Sequence, residues 1–112
     1  MCTRRNLSGE ITKIGMIGLG LMGHGIAQMS ASAGYQVVAV ESNAEALSTG
    51  MKRIEGSLSK IIAKETKKGI HSSDAEAKVR YDSVMANITG TTNIADAADC
   101  DLIVEAIVEV SF

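Results

Sequence analysis

"IGMIGLGLMGHGIAQ", residues 14–28, crowds five glycines into the eleven positions from Gly15 to Gly25 of a chain that contains no proline. The run that leads into it, ITKIGMIGL (11–19), is short, apolar, rich in β-branched residues and broken by glycine, which predicts a buried strand. Residues 22–33 then predict a helix, with Gly34 as its C-terminal stop. Glycines at such a junction either loosen the packing or let the backbone come close to something. Gly18, Gly20 and Gly23 have the spacing G-x-G-x-x-G between strand and helix, the context that gives the pattern its meaning. Gly18 permits the tight turn, Gly20 leaves room for a pyrophosphate against the backbone, and Gly23 lets helix and strand pack closely. The unpaired N–H groups at the helix start, helped by the helix dipole, then receive the anion.

A second strand, YQVVAVE (35–41), ends at Glu41, eighteen residues after Gly23. An acid at that strand end can accept hydrogen bonds from an adenosine ribose, or it can be a solvated carboxylate. A 2′-phosphate would be repelled by Glu41, and ESNAE (41–45) offers no arginine to receive one, so NAD is favoured over NADP. The competing reading is a methyltransferase-type glycine loop. Its strand carries an acid just before the glycines, where this chain has Met16 and Ile17.

From Asn43, a candidate N-cap, a long helix is expected to about Lys68, with Leu47, Met51, Ile54, Leu58 and Ile61 forming an apolar seam. Beside it Arg53, Ser57, Lys60, Lys64 and Lys67 or Lys68 recur three and four residues apart as a basic stripe, either a solvated face or a phosphate-holding one. Ser73 and Glu76 have capping-box spacing and open another helix to about Met85, so the two helices form a hairpin. NITGTTN (87–93) reads as a third strand, IADAAD (94–99) as a turn of helix, and DLIVEAIVE (101–109) as a fully buried fourth strand. Strands alternating with helices imply an α/β fold with a parallel sheet and right-handed crossovers.

The bulk properties agree with one partial domain over residues 11–112, preceded by a disordered start at 1–10. Thirteen acidic and eleven basic residues give a net charge of −2, which does not support general affinity for nucleic acid or anionic membranes. No apolar run approaches the roughly 20 residues of a membrane span, and MCTRRNLSGE (1–10) lacks the apolar core of a secretory signal. The expectation is a soluble intracellular protein of the cytoplasm or, if Arg4 and Arg5 belong to a presequence, the mitochondrial matrix. Cys2 and Cys100 have no partner spacing for a disulfide or a metal site. His24, inside the glycine motif, and His71, between the hairpin helices, read as solvent or loop residues rather than acid–base catalysts.

Together KIGMIGLGLMGHGIAQ, GYQVVAVE, GSLSKIIAK, ANITGTTN and DLIVEAIVE, in that order over residues 13–109, resemble the N-terminal part of the L-3-hydroxyacyl-CoA and 3-hydroxybutyryl-CoA dehydrogenases. The β-hydroxyacid dehydrogenases share IGLGLMG but usually follow it with proline and lack the helix hairpin. The resemblance implies a Rossmann-type, doubly wound sheet with an inserted helical hairpin. It also implies NAD-dependent oxidation of L-3-hydroxyacyl-CoA to 3-oxoacyl-CoA, as in fatty-acid β-oxidation or butyrate-type metabolism. By position, Gly18, Leu19, Gly20, Leu21, Met22 and Gly23 would hold the pyrophosphate, Glu41 the ribose, and Ile107, Val108 and Glu109 the nicotinamide side. Ser57 and Lys64 would contact coenzyme A. Glu105, expected to be buried in the fourth strand, would be a satisfied structural carboxylate or a site residue. The family's catalytic histidine and glutamate, and the helical domain through which it dimerises, lie beyond the fourth strand. After Glu109 this chain reads VSF. The expectation is therefore an NAD-binding portion that is inactive alone and marginally stable. A short non-catalytic nucleotide-binding module, or an oxidoreductase of the β-hydroxyacid dehydrogenase type, is the alternative.

Overall fold

The computed structural model describes residues 2–4 and 10–106. Strand β1 is Cys2–Arg4, β2 Lys13–Ile17, β3 Gln36–Val40, β4 Ile88–Thr91 and β5 Leu102–Glu105. Helix α1 spans Leu21–Ser32, α2 Ala44–Lys67 and α3 Asp74–Ala86, and a 3-10 turn covers Ile94–Ala97. The sheet order is β1-β5-β2-β3-β4, with β5, β2, β3 and β4 parallel. The chain thus leaves β2 toward β3 and β4 on one side, then returns to β5 on the other, the doubly wound arrangement expected.

Local chemistry accounts for the helix boundaries. The Asn43 side chain accepts from the Ala46 N–H at 2.8 Å, and Ser73 Oγ accepts from the Glu76 N–H at 3.1 Å, each satisfying a donor the helix start leaves open. Glu76 does not close the capping box on Ser73; its carboxylate takes the N–H and hydroxyl of Ser72 instead. At the end of α1, Gly34 adopts φ +100°, and the N–H groups of Gly34 and Tyr35 return to the carbonyls of Ala31 and Ser30 in a Schellman closure.

All three helices cover one face of the sheet, around a core of Met16, Leu19, Val37, Ile54, Leu58 and Val84. The other face is covered by the 3-10 turn, whose Ala97 is buried with Ile17, Val38, Val40 and Cys100. Gly15 makes this approach possible, because a Cβ there would lie 3.2 Å from that of Ala97. Asp101 ties the start of β5 to the start of β2: one carboxylate oxygen accepts from the N–H groups of Thr12 and Lys13 and from the Thr12 hydroxyl.

Three expectations are corrected. Cys2–Arg4, placed in a disordered start, pairs antiparallel with β5 through Cys2–Val104, Thr3–Ile103 and Arg4–Leu102. The buried row of α2 is Gly50, Ile54, Leu58 and Ile62, while Ile61 is exposed. A strict four-residue step follows the sheet-facing side of this helix, so Ile62 replaces Ile61 at the end of the seam. Strand β5 is half-buried at Leu102, Ile103 and Val104, and Glu105 is exposed. Among the described residues the 3-10 turn covers the face onto which Glu105, alternating with Val104, is directed, so the burial expected of Glu105 is not found. His71 lies in the turn between α2 and α3 as expected, with its side chain packed against Glu65 Oε1 at 3.2 Å.

Candidate functional site

The carboxyl ends of β2, β3 and β5 open onto a cavity of about 540 Å³ whose wall includes Gly18, Gly20, Glu41, Arg53, Thr92 and Ala106. It lies where the chain changes direction in strand order, the place at which open parallel sheets bind ligands. Its volume is within the range of small-molecule sites.

The turn after β2 is built for close approach. Gly18 has φ +94°, a conformation open to glycine and strained for other residues. Its N–H donates to the Val40 carbonyl at 2.9 Å, which seats the turn on the end of β3. Gly20 is the N-cap of α1 and offers no side chain there, and the first turn holds no acidic residue. A Cβ on Gly23 would stand 1.8 Å from the Gly18 oxygen, so the helix start packs directly on the turn.

Leu19 is the hinge of this arrangement. Its side chain is fully buried, and its Cβ would be 2.5 Å from a Cβ at Gly50, so glycine on α2 is what admits it. Both of its peptide groups are taken: its N–H donates to Glu41 Oε2 at 2.9 Å, and its carbonyl accepts from Arg53 Nη1 at 3.1 Å. Glu41 Oε1 accepts from the Ser42 N–H at 3.3 Å. A carboxylate has roughly four acceptor positions, so Glu41 keeps capacity for further donors such as ribose hydroxyls.

Of the predicted cofactor residues, Gly18, Gly20 and Glu41 meet in this cavity. Leu19 and Gly23 stand behind its wall, while Leu21 and Met22 are 84% and 70% exposed at the start of α1. Ile107, Val108 and Glu109 lie outside the described residues; Ala106, just before them, lines the cavity and its N–H donates to the Ile17 carbonyl at 2.8 Å. Sequence reasoning missed Arg53, Thr92 and Ile94 as cavity residues. Arg53 was legible as a member of the basic stripe, and the signal for Thr92 and Ile94 is position, since they follow the third strand as Glu41 follows the second. A separate groove of about 520 Å³ along α2 gathers Lys52, Arg53, Ser57, Lys60 and Lys64, so Ser57 and Lys64 share a basic surface beside Leu21. His24 also lines this groove, and its Nδ1 is 2.7 Å from the Gly20 oxygen. Among the described residues no group of acidic, histidine and cysteine side chains has the makings of a metal site, and no helix is long and apolar enough to cross a membrane.

A parallel α/β sheet with a glycine turn at its switch point and an acid on the neighbouring strand defines a dinucleotide-binding domain. Residues 13–111 match the family model of the 3-hydroxyacyl-CoA dehydrogenase NAD binding domain, and the chain belongs to that family. It is 43% identical over 97 residues to a probable 3-hydroxybutyryl-CoA dehydrogenase of Deinococcus radiodurans, an alignment covering 87% of this chain and 31% of that protein. A probable 3-hydroxyacyl-CoA dehydrogenase of Caenorhabditis elegans is 41% identical over 102 residues, covering 89% and 31%. The crystal structure of (S)-3-hydroxybutyryl-CoA dehydrogenase from Ralstonia eutropha superposes with a TM-score of 0.73 at 32% identity, covering 91% of this chain and 33% of that one. The chain therefore spans about a third of the length of these relatives.

Proposed function

We propose that this chain forms the cofactor-binding part of an NAD-dependent enzyme that oxidises the 3-hydroxyl of an L-3-hydroxyacyl-CoA to a ketone. The observation that carries the reading is the bond from the Leu19 N–H to Glu41, which holds the glycine turn and the acid on one cavity wall. The residues present fit the cofactor. Gly18 and Gly20 bring bare backbone to the cavity, Glu41 keeps acceptor capacity for ribose hydroxyls, and the start of α1 supplies positive dipole without an opposing acid. Bound NAD would supply the hydride acceptor for the oxidation.

Leu19, Leu21, Met22 and Gly23 are read as shaping the pyrophosphate turn, and Ile107, Val108 and Glu109 as the nicotinamide side. Ser57 and Lys64 are read as contacts for the coenzyme A portion, on the basic groove that Lys52 and Lys60 extend. The proton-accepting histidine, its glutamate partner and the dimer interface are assigned to the part of the relatives with which this chain does not align. Cytoplasm or mitochondrial matrix is the compartment this reading favours.

Calorimetric titration of NAD into the chain tests the proposal, with Glu41→Ala alongside. Saturable binding, weakened about tenfold in Glu41→Ala through loss of a charged hydrogen-bond acceptor, is expected. A folded chain that takes up no NAD overturns it.

A further inference from the structure

Reading ESNAE as sequence, no cation stands near Glu41; the tertiary structure supplies one from α2. Gly50 lets that helix press against Leu19, and Arg53, three residues on and therefore on the same side of the helix, reaches over the turn to the Leu19 carbonyl. Glu41 and Arg53 thus hold the two ends of one residue, the acid at its N–H and the guanidinium at its carbonyl. They also share two cavities, the one described above and a shallower one between Asn43 and Thr49. Arginine carries five N–H donors in a fork that matches phosphate oxygens, and Arg53 spends Nη1 on Leu19.

We propose that Arg53 is a specificity-determining residue of this cavity, a built-in receptor for a ribose 2′-phosphate that Glu41 overrides. The inference rests on reading the cavity as a dinucleotide site. A 2′-phosphate placed beside Glu41 faces carboxylate repulsion on one side and guanidinium attraction on the other. NAD meets only the hydrogen-bonding capacity of Glu41. Discrimination against NADP is therefore the work of the acid alone, and removing its charge unmasks the cation without any arginine being introduced.

The test is calorimetry with NAD and NADP on the chain and on Glu41→Ser, Arg53→Met and Glu41→Ser/Arg53→Met, with a thermal melt of each to establish folding. Glu41→Ser is expected to gain about tenfold in NADP affinity while losing NAD affinity, and the double variant to give that gain back. Should Glu41→Ser fail to fold, Arg53→Met alone, altered at an exposed position, decides the matter, with residual NADP binding expected to fall several-fold more than NAD binding. Equal loss of both nucleotides in Arg53→Met, or an NADP gain that survives in the double variant, overturns the proposal and leaves the NAD reading standing. Absence of any nucleotide binding to the folded unaltered chain overturns both.

Discussion

The Leu19 N–H donates to Glu41 Oε2 at 2.9 Å across 22 residues of sequence, so the turn after β2 and the end of β3 are held together by the protein's own atoms. Such preorganisation reduces the ordering that binding must otherwise impose. The same residue is clamped from below, since its side chain is buried against α2 at Gly50. The glycine turn is therefore part of the core as well as part of the site, and changes made on α2 reach the cavity.

Gly50→Ala is the direct probe of this coupling. The new methyl group would enter 2.5 Å from Leu19 Cβ, and overpacking of a tight contact costs about 1–3 kcal/mol. Denaturant unfolding is expected to register that loss, and NAD titration a weaker affinity, because Leu19 cannot retreat without moving Gly18 and Gly20. Full stability with unchanged affinity would show the contact to be slack.

Gly23 and Gly25 lie two residues apart on α1 and are expected to respond oppositely to alanine. At Gly23 the methyl group would meet the Gly18 carbonyl oxygen at 1.8 Å, so Gly23→Ala destabilises by several kcal/mol or prevents folding. At Gly25 nothing lies within 4 Å, so Gly25→Ala raises stability by up to about 1 kcal/mol through helix propensity. Paired thermal melts check both signs.

Asp101 predicts a pH dependence. The N–H groups of Thr12 and Lys13 that bond its carboxylate hold its pKa below the ordinary 3.8. A depressed folded-state pKa contributes stability above the unfolded value and loses it as pH falls through the folded one. The gap in unfolding free energy between the unaltered chain and Asp101→Ala is thus expected to be constant from about pH 5 to 7 and to shrink below about pH 4. A gap undiminished at about pH 2 would mean that the carboxylate charge is not what ties β5 to β2.

Ser73→Ala removes the side-chain acceptor for the Glu76 N–H at the start of α3 and is expected to cost about 1 kcal/mol in chemical denaturation. Ser73→Asp should restore most of the loss, since a carboxylate accepts the same bond and favours the helix N-terminus.

Much of this architecture is legible locally. The glycine spacing, the stop at Gly34, the caps at Asn43 and Ser73 and the alternation of strands with helices each depend on residues a few positions apart, and each is where the residue chemistry placed it. Gly18, Gly20 and Glu41 were identifiable because the turn and the strand end follow from that alternation, and the sheet's parallel register brings them to one edge. What only the tertiary structure decided is which surfaces meet. The pairing of Cys2–Arg4 with β5, the exposure of Glu105, the choice of Ile62 over Ile61 and the reach of Arg53 to Leu19 depend on how strands and helices dock. The rotation of α2 about its axis is set by the contact of Gly50 with Leu19, two residues from different elements. No periodicity within either segment encodes that contact, because it exists only once the helix has found the sheet.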